Sequence, residues 1–221
     1  MLTPVKVMGL DWKEWNRSDI IYGIVVPLVV VLVIVGLSLV SSSLMRSGGM
    51  TGSSGIVIGI ISEIEELTIT VAVPLLLGLV WNRWAGGASG FLMGTVWSMW
   101  YAVKYGLYSG FVGGQSARAF NLGPTLLGWV LSAMLIGYMA GALNKHSENF
   151  RRMLIVGMGT TAVGGFFLLG MFQLSPSNVV PFDFSGFALN VATRIAAGAI
   201  VPVIAKVFMW YGMAMNKKQN S

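Results

Sequence analysis

The feature that most constrains this chain is a series of long apolar runs without a single charge. The first, Ile20 to Val40, has 21 residues and no Asp, Glu, Lys or Arg. At a helical rise of about 1.5 Å per residue, such a run spans the roughly 30 Å hydrocarbon core of a bilayer. Leu67 to Asn82, Ala88 to Val103, Phe120 to Asn144 and Met153 to Phe182 are also uncharged. A sixth run, Ser185 to Met213, carries only Arg194 and Lys206. Lipid cannot satisfy an open sheet edge, and the runs are too continuous for alternating barrel strands. The expected fold is therefore all-α: a polytopic membrane protein with six transmembrane helices. The second run has only 16 residues. It is expected to extend back into Ile56–Ser62, past Glu63, Glu65 and Glu66.

Composition agrees. Charged residues make up 10% of the chain, against about 25% in an ordinary soluble domain. That is too few to coat a water-facing surface. The net charge of +6 raises the question of nucleic acid. The basic residues, however, fill short gaps between apolar runs, which suits topology and head-group contacts, so no nucleic-acid partner is expected. The absence of cysteine removes disulfides and thiol chemistry, and the single His146 cannot build a metal cluster. No metal site is expected.

Lys and Arg also give a direction. With the N-terminus in the cytoplasm, the inner side holds Lys6, Lys13, Arg17, Arg83, Lys145, Arg151, Arg152, Lys217 and Lys218. The outer side holds only Arg46, Lys104 and Arg118. Both termini are expected inside, in a multi-pass protein of the plasma membrane. Residues 1–19 read as a cytoplasmic or interfacial segment, 20–213 as one six-helix domain and 214–221 as a tail. The charges in the first nineteen residues and the length of the run after them argue against a cleaved signal peptide. Ser41–Gly55, rich in Ser and Gly, reads as a flexible outer loop.

Small residues recur every four positions in three helices: Gly86, Gly90, Gly94 and Ser98, then Gly137 and Gly141, then Gly157, Thr161 and Gly165. Such stripes let helix backbones approach closely in lipid. They serve packing inside the bundle or a docking face for another membrane subunit.

Three polar groups stand out, all on the expected outer half. Glu63 and Glu66 share a helix face, while Glu65 points elsewhere. They read either as a solvated acidic helix start or as carboxylates facing a pocket. Trp97, Tyr101, Lys104 and Tyr108 form a second stripe, with Trp100 and Tyr105 beside it. It reads either as an interfacial aromatic belt or as a surface that stacks a ring and holds an oxygen. Arg194 follows Asn190 by one turn. It lies nine residues in from Ser185, about 14 Å at the helical rise. An ionisable group at that depth marks a functional site or snorkels to the head groups. Gln173, Arg118 and Asn121 could converge on the same side.

No Walker A, HExxH or GxSxG motif occurs, and no Ser–His pair lies in the membrane. No enzyme activity and no cofactor are expected.

ISEIEELTITVAVPLLLGLVWNRWAGGASGFLMGTVWSMW, beginning at Ile61, resembles the second and third helices of substrate-binding S components of energy-coupling factor (ECF) transporters. LLGWVLSAMLIGYMAGAL, Leu126 to Leu143, resembles their fourth helix. The resemblance extends in pattern from about Ile56 to Tyr211. It implies a membrane-embedded binder of a small vitamin-like molecule, working with a transmembrane coupling subunit and two cytoplasmic ATPases. Many members carry an Ala-x-x-x-Ala docking motif on the first helix. Here that helix is rich in Val and Leu, so Gly86, Gly90 and Gly94 become the substitute docking stripe. On this reading Glu63 and Glu66 hold a cationic or donor group, Trp97, Trp100 and Tyr101 stack a ring, and Lys104, Asn190 and Arg194 hold oxygens. Acid plus aromatics leans towards a thiamine-like or pyrimidine-containing compound. The alternative is a non-catalytic structural or assembly subunit of a larger membrane complex. A third option is a small stand-alone channel or carrier.

Overall fold

The computed structural model describes residues 20–47, 54–112, 124–174 and 184–210. Among these residues there are six helices and no strand. Helix α1 comprises a π turn, Ile21–Val25, continued by Val26–Ser47. Helix α2 runs through Ser54–Leu67, a π turn at Thr68–Ala72, and Val73–Val80. Then come α3 (Arg83–Val112), α4 (Pro124–Asn144), α5 (Phe150–Gln173) and α6 (Phe184–Trp210). By length and composition, Leu126–Asn144, Phe150–Gln173 and Phe184–Trp210 can each cross a membrane. They make this a multi-pass membrane protein.

Each π turn sits just before a proline. Pro27 follows the first and Pro74 the second. A proline ring collides with the carbonyl four residues back and has no N–H to donate. Widening the preceding turn relieves both problems without ending the helix.

The expected outer loop is shorter than its Ser content suggests. Helix α1 continues to Ser47 and α2 starts at Ser54, so most of Ser41–Gly55 is helical. Serine is tolerated in a helix far better than glycine, and Gly48, Gly49 and Gly52 all fall between the two helices. Residues 48–53 themselves lie outside the described residues, as do the expected N-terminal segment and tail. Helix α3 also begins earlier than the charge-free run Ala88 to Val103, at Arg83. Asn82 starts it, its Oδ1 accepting from the Ala85 N–H at 2.7 Å.

Glycines draw the helices together. A Cβ on Gly86 or Gly90 would strike the backbone of Gly137 or Ala133 on α4, and one on Gly94 would sit 2.7 Å from the Val130 Cα. Gly78 of α2 joins the same crossing beside Gly137. Gly157 and Gly198 form a matching contact between α5 and α6, where Pro202 packs against Gly157. The Gly86, Gly90 and Gly94 stripe is therefore filled by α4. Packing inside the bundle, one of the two roles expected of the stripe, accounts for these glycines.

Two apolar clusters form the core. One gathers Leu75, Leu79, Ile136, Met153 and Val201. The other gathers Val31, Ile69, Met93, Trp97, Trp129 and Leu168. Helix α1 is peripheral: Ile24, Leu28, Val29 and Leu32 on it are exposed.

Candidate functional site: a buried ion pair under an aromatic wall

Glu66 and Arg194 are 128 residues apart in sequence and form an ion pair between α2 and α6. Arg194 is 1% exposed and Glu66 15%. Lipid and protein interior screen charges poorly, so an arginine this deep needs a partner. Glu66 Oε1 accepts from Arg194 Nη2 and also from the indole Nε1 of Trp129 on α4, at 3.2 Å. Asn190, one turn before Arg194, completes the group: its Oδ1 accepts from Arg194 Nε at 3.1 Å. Room for the arginine stem comes from Gly165 on α5, where a Cβ would lie 3.1 Å from the Arg194 Cδ.

Local sequence explains how Glu66 is aimed. Thr70 Oγ1 bonds back to the Glu66 carbonyl at 2.8 Å, and Thr68 Oγ1 to that of Ile64 at 2.7 Å. Both threonines belong to the π turn. The turn re-phases α2, so the carboxylate end and the apolar end each present their own face to the bundle. Glu63, one turn earlier, lies close enough to act electrostatically on both members of the pair.

An aromatic wall adjoins the pair. Trp129 contacts the Tyr101 ring at a centroid distance of 4.5 Å and meets Phe172 edge-on at 5.2 Å. Trp97 packs in the same cluster and is 4% exposed. Trp100 packs at its edge. Ser98 ties α3 to α4 here, its hydroxyl donating to the Gly94 carbonyl at 2.6 Å and lying 3.1 Å from the Leu126 carbonyl.

The structure thus brings Glu66, Asn190, Arg194, Trp97, Trp100 and Tyr101 into one region, with Glu63 at its margin. A belt at the membrane surface does not describe Trp97, which is buried. Snorkelling does not describe Arg194, which is paired inside the bundle. The Lys104 side chain, Arg118 and Asn121 lie outside the described residues. Gln173 is exposed at the end of α5. Trp129, which holds the carboxylate, was missed by the sequence reading. Its signal was an indole N–H deep in an uncharged run, where a polar atom needs a partner.

Three nitrogens in this region are buried without an acceptor among the described residues: Trp97 Nε1, Trp100 Nε1 and Arg194 Nη1. Native interiors rarely leave donors in this state, and each such group calls for an explanation. No protein-family model matches the chain, and no curated protein or solved structure matches it either.

Proposed function

We propose that this chain is the membrane-embedded substrate-binding subunit of an ECF-type ABC importer, capturing a small vitamin-like molecule from outside the cell. The observation that carries the reading is the buried Glu66–Arg194 pair beside aromatic side chains and N–H donors with no acceptor among the described residues. A bundle that needs only to pack would fill this volume with apolar side chains, since buried ion pairs are poor stabilisers. A polar centre with an aromatic wall is the usual make-up of a small-molecule site.

The topology of this proposal has six spans, both termini in the cytoplasm, and residence in the plasma membrane. The distribution of Lys and Arg supports it, and it turns the Glu66–Arg194 end outward. The chain carries no Walker A motif, so ATP hydrolysis falls to partner ATPases acting through a transmembrane coupling subunit. With the α3 glycine stripe occupied, the exposed apolar face of α1 is where that coupling subunit would sit.

The experiment is gentle purification from native membranes followed by native mass spectrometry. The proposal expects a coupling subunit, two ATPases and one small molecule per chain. Recovery in a respiratory or cell-wall complex with no small molecule would establish the structural-subunit alternative instead.

A further inference from the structure

The unmet polar atoms constrain the chemistry of the ligand, and the inference rests on the binding reading above. Arg194 spends Nε on Asn190 and Nη2 on Glu66, which leaves Nη1 without an acceptor among the described residues. Trp97 contributes a second N–H, and Trp100 a third. All are donors. Trp129 links them: its indole bonds to the carboxylate that pairs with Arg194, and its ring packs in the cluster that contains Trp97. Leu168 of that cluster lies one turn along α5 from Gly165, the residue under the Arg194 stem. Trp97 and Trp100 thus belong to the cluster of Trp129, whose indole bonds to the carboxylate that pairs with Arg194.

Charge narrows the class further. Glu66 already balances Arg194, and Glu63 stands nearby with a second carboxylate. Among the described residues, a carboxylate or phosphate ligand would meet two like charges against one guanidinium in a poorly screened setting. An ammonium ligand would suit the Glu63 carboxylate but has no acceptor for the Arg194 and Trp97 donors. An uncharged ring bearing carbonyl oxygens meets both conditions. Its oxygens accept from Arg194 Nη1 and the Trp97 N–H, and its faces lie against indole and phenol rings.

We infer that the site selects a flat, uncharged molecule with ring carbonyls, of the lactam or cyclic-imide class, rather than a thiamine-like cation, one of the two classes towards which the sequence leans. No bond is made or broken in this step.

The test uses the full chain in lipid nanodiscs and three bicyclic probes of similar size. They are quinazoline-2,4-dione (neutral, two carbonyls), quinoline-2-carboxylate (anionic) and quinolin-2-ylmethylammonium (cationic). Binding is read by calorimetry, and the indole N–H resonances by NMR of ¹⁵N-Trp-labelled protein. The expected order places the dione first, with the Trp97 N–H resonance moving downfield on its addition. Trp97→Phe keeps a ring but loses that donor. It should weaken dione binding about tenfold, the worth of one hydrogen bond. Tighter binding of either charged probe overturns the inferred class and leaves the binding reading standing. An unmoved Trp97 resonance with the dione bound also overturns it. If no probe binds and no small molecule co-purifies with the chain, both fall.

Discussion

The two ends of the bundle hold polar side chains in different ways. At the end where α4 leads into α5, they cap backbone carbonyls. Asn144 donates from Nδ2 to the Leu79 and Ser147 carbonyls at 3.1 and 3.2 Å. Arg152 grips the Leu143 carbonyl through Nε and Nη2, and Lys206 reaches the Glu148 carbonyl at 2.9 Å. Asn149 caps α5 by accepting from the Arg151 N–H at 3.0 Å. Lys145 and His146 turn the chain with φ of 49° and 58°. These bonds satisfy backbone carbonyls and one N–H at helix ends and in the short connection between α4 and α5. At the Glu66–Arg194 end, the pair bonds side chain to side chain, and among the described residues three donors are left over there, against one acceptor, Asn144 Oδ1, at the other end. Polar atoms that finish helices are explained by the fold; polar atoms that exceed its needs point to something the fold is built to meet.

Five variants sharpen that contrast, the largest effect first. Arg194→Met alone leaves the Glu66 carboxylate buried without its ion, a loss of about 3–5 kcal/mol. The double variant Glu66→Gln/Arg194→Met removes both charges and should regain most of it, measured by thermal unfolding in nanodiscs. A double no more stable than the single would show that the pair is not a closed unit. Gly90→Val, on the seam between α3 and α4, forces two backbones apart. It should cost about 3 kcal/mol, near the upper end of usual overpacking penalties, and give aggregated protein on gel filtration. Asn144→Ala strips one end of its cap and should cost about 1–3 kcal/mol, while ligand binding at the far end stays unchanged. Gly159→Ala has open space around the new methyl group. It should raise stability by up to about 1 kcal/mol, the helix preference of alanine over glycine.

The number of helices was legible from charge-free runs, because lipid forces long helices to announce themselves. Their ends were less so. Ser41–Ser47 reads as loop by composition yet continues α1, and Arg83–Gly87 lies before the charge-free run yet opens α3 behind the Asn82 cap. The π turns ahead of Pro27 and Pro74 were not read, although proline marks where a helix must adjust. The site was half legible. Glu66, Asn190 and Arg194 stood out because ionisable and amide groups are costly among apolar residues. Their meeting was not readable, since nothing local ties α2 to α6. The role of the Gly86–Gly94 stripe was ambiguous for a similar reason: the same small residues serve an inner seam and an outer dock, and only the position of α4 decides between them.

The most direct test compares ligand occupancy in three proteins purified from the same host: the unaltered chain, Asn144→Ala, and the Glu66→Gln/Arg194→Met double. Native mass spectrometry from nanodiscs counts small molecules per chain. One bound molecule in the first two and none in a folded double would support a binding site at the Glu66–Arg194 end alone. An empty unaltered chain, or a double that keeps its ligand, would contradict it.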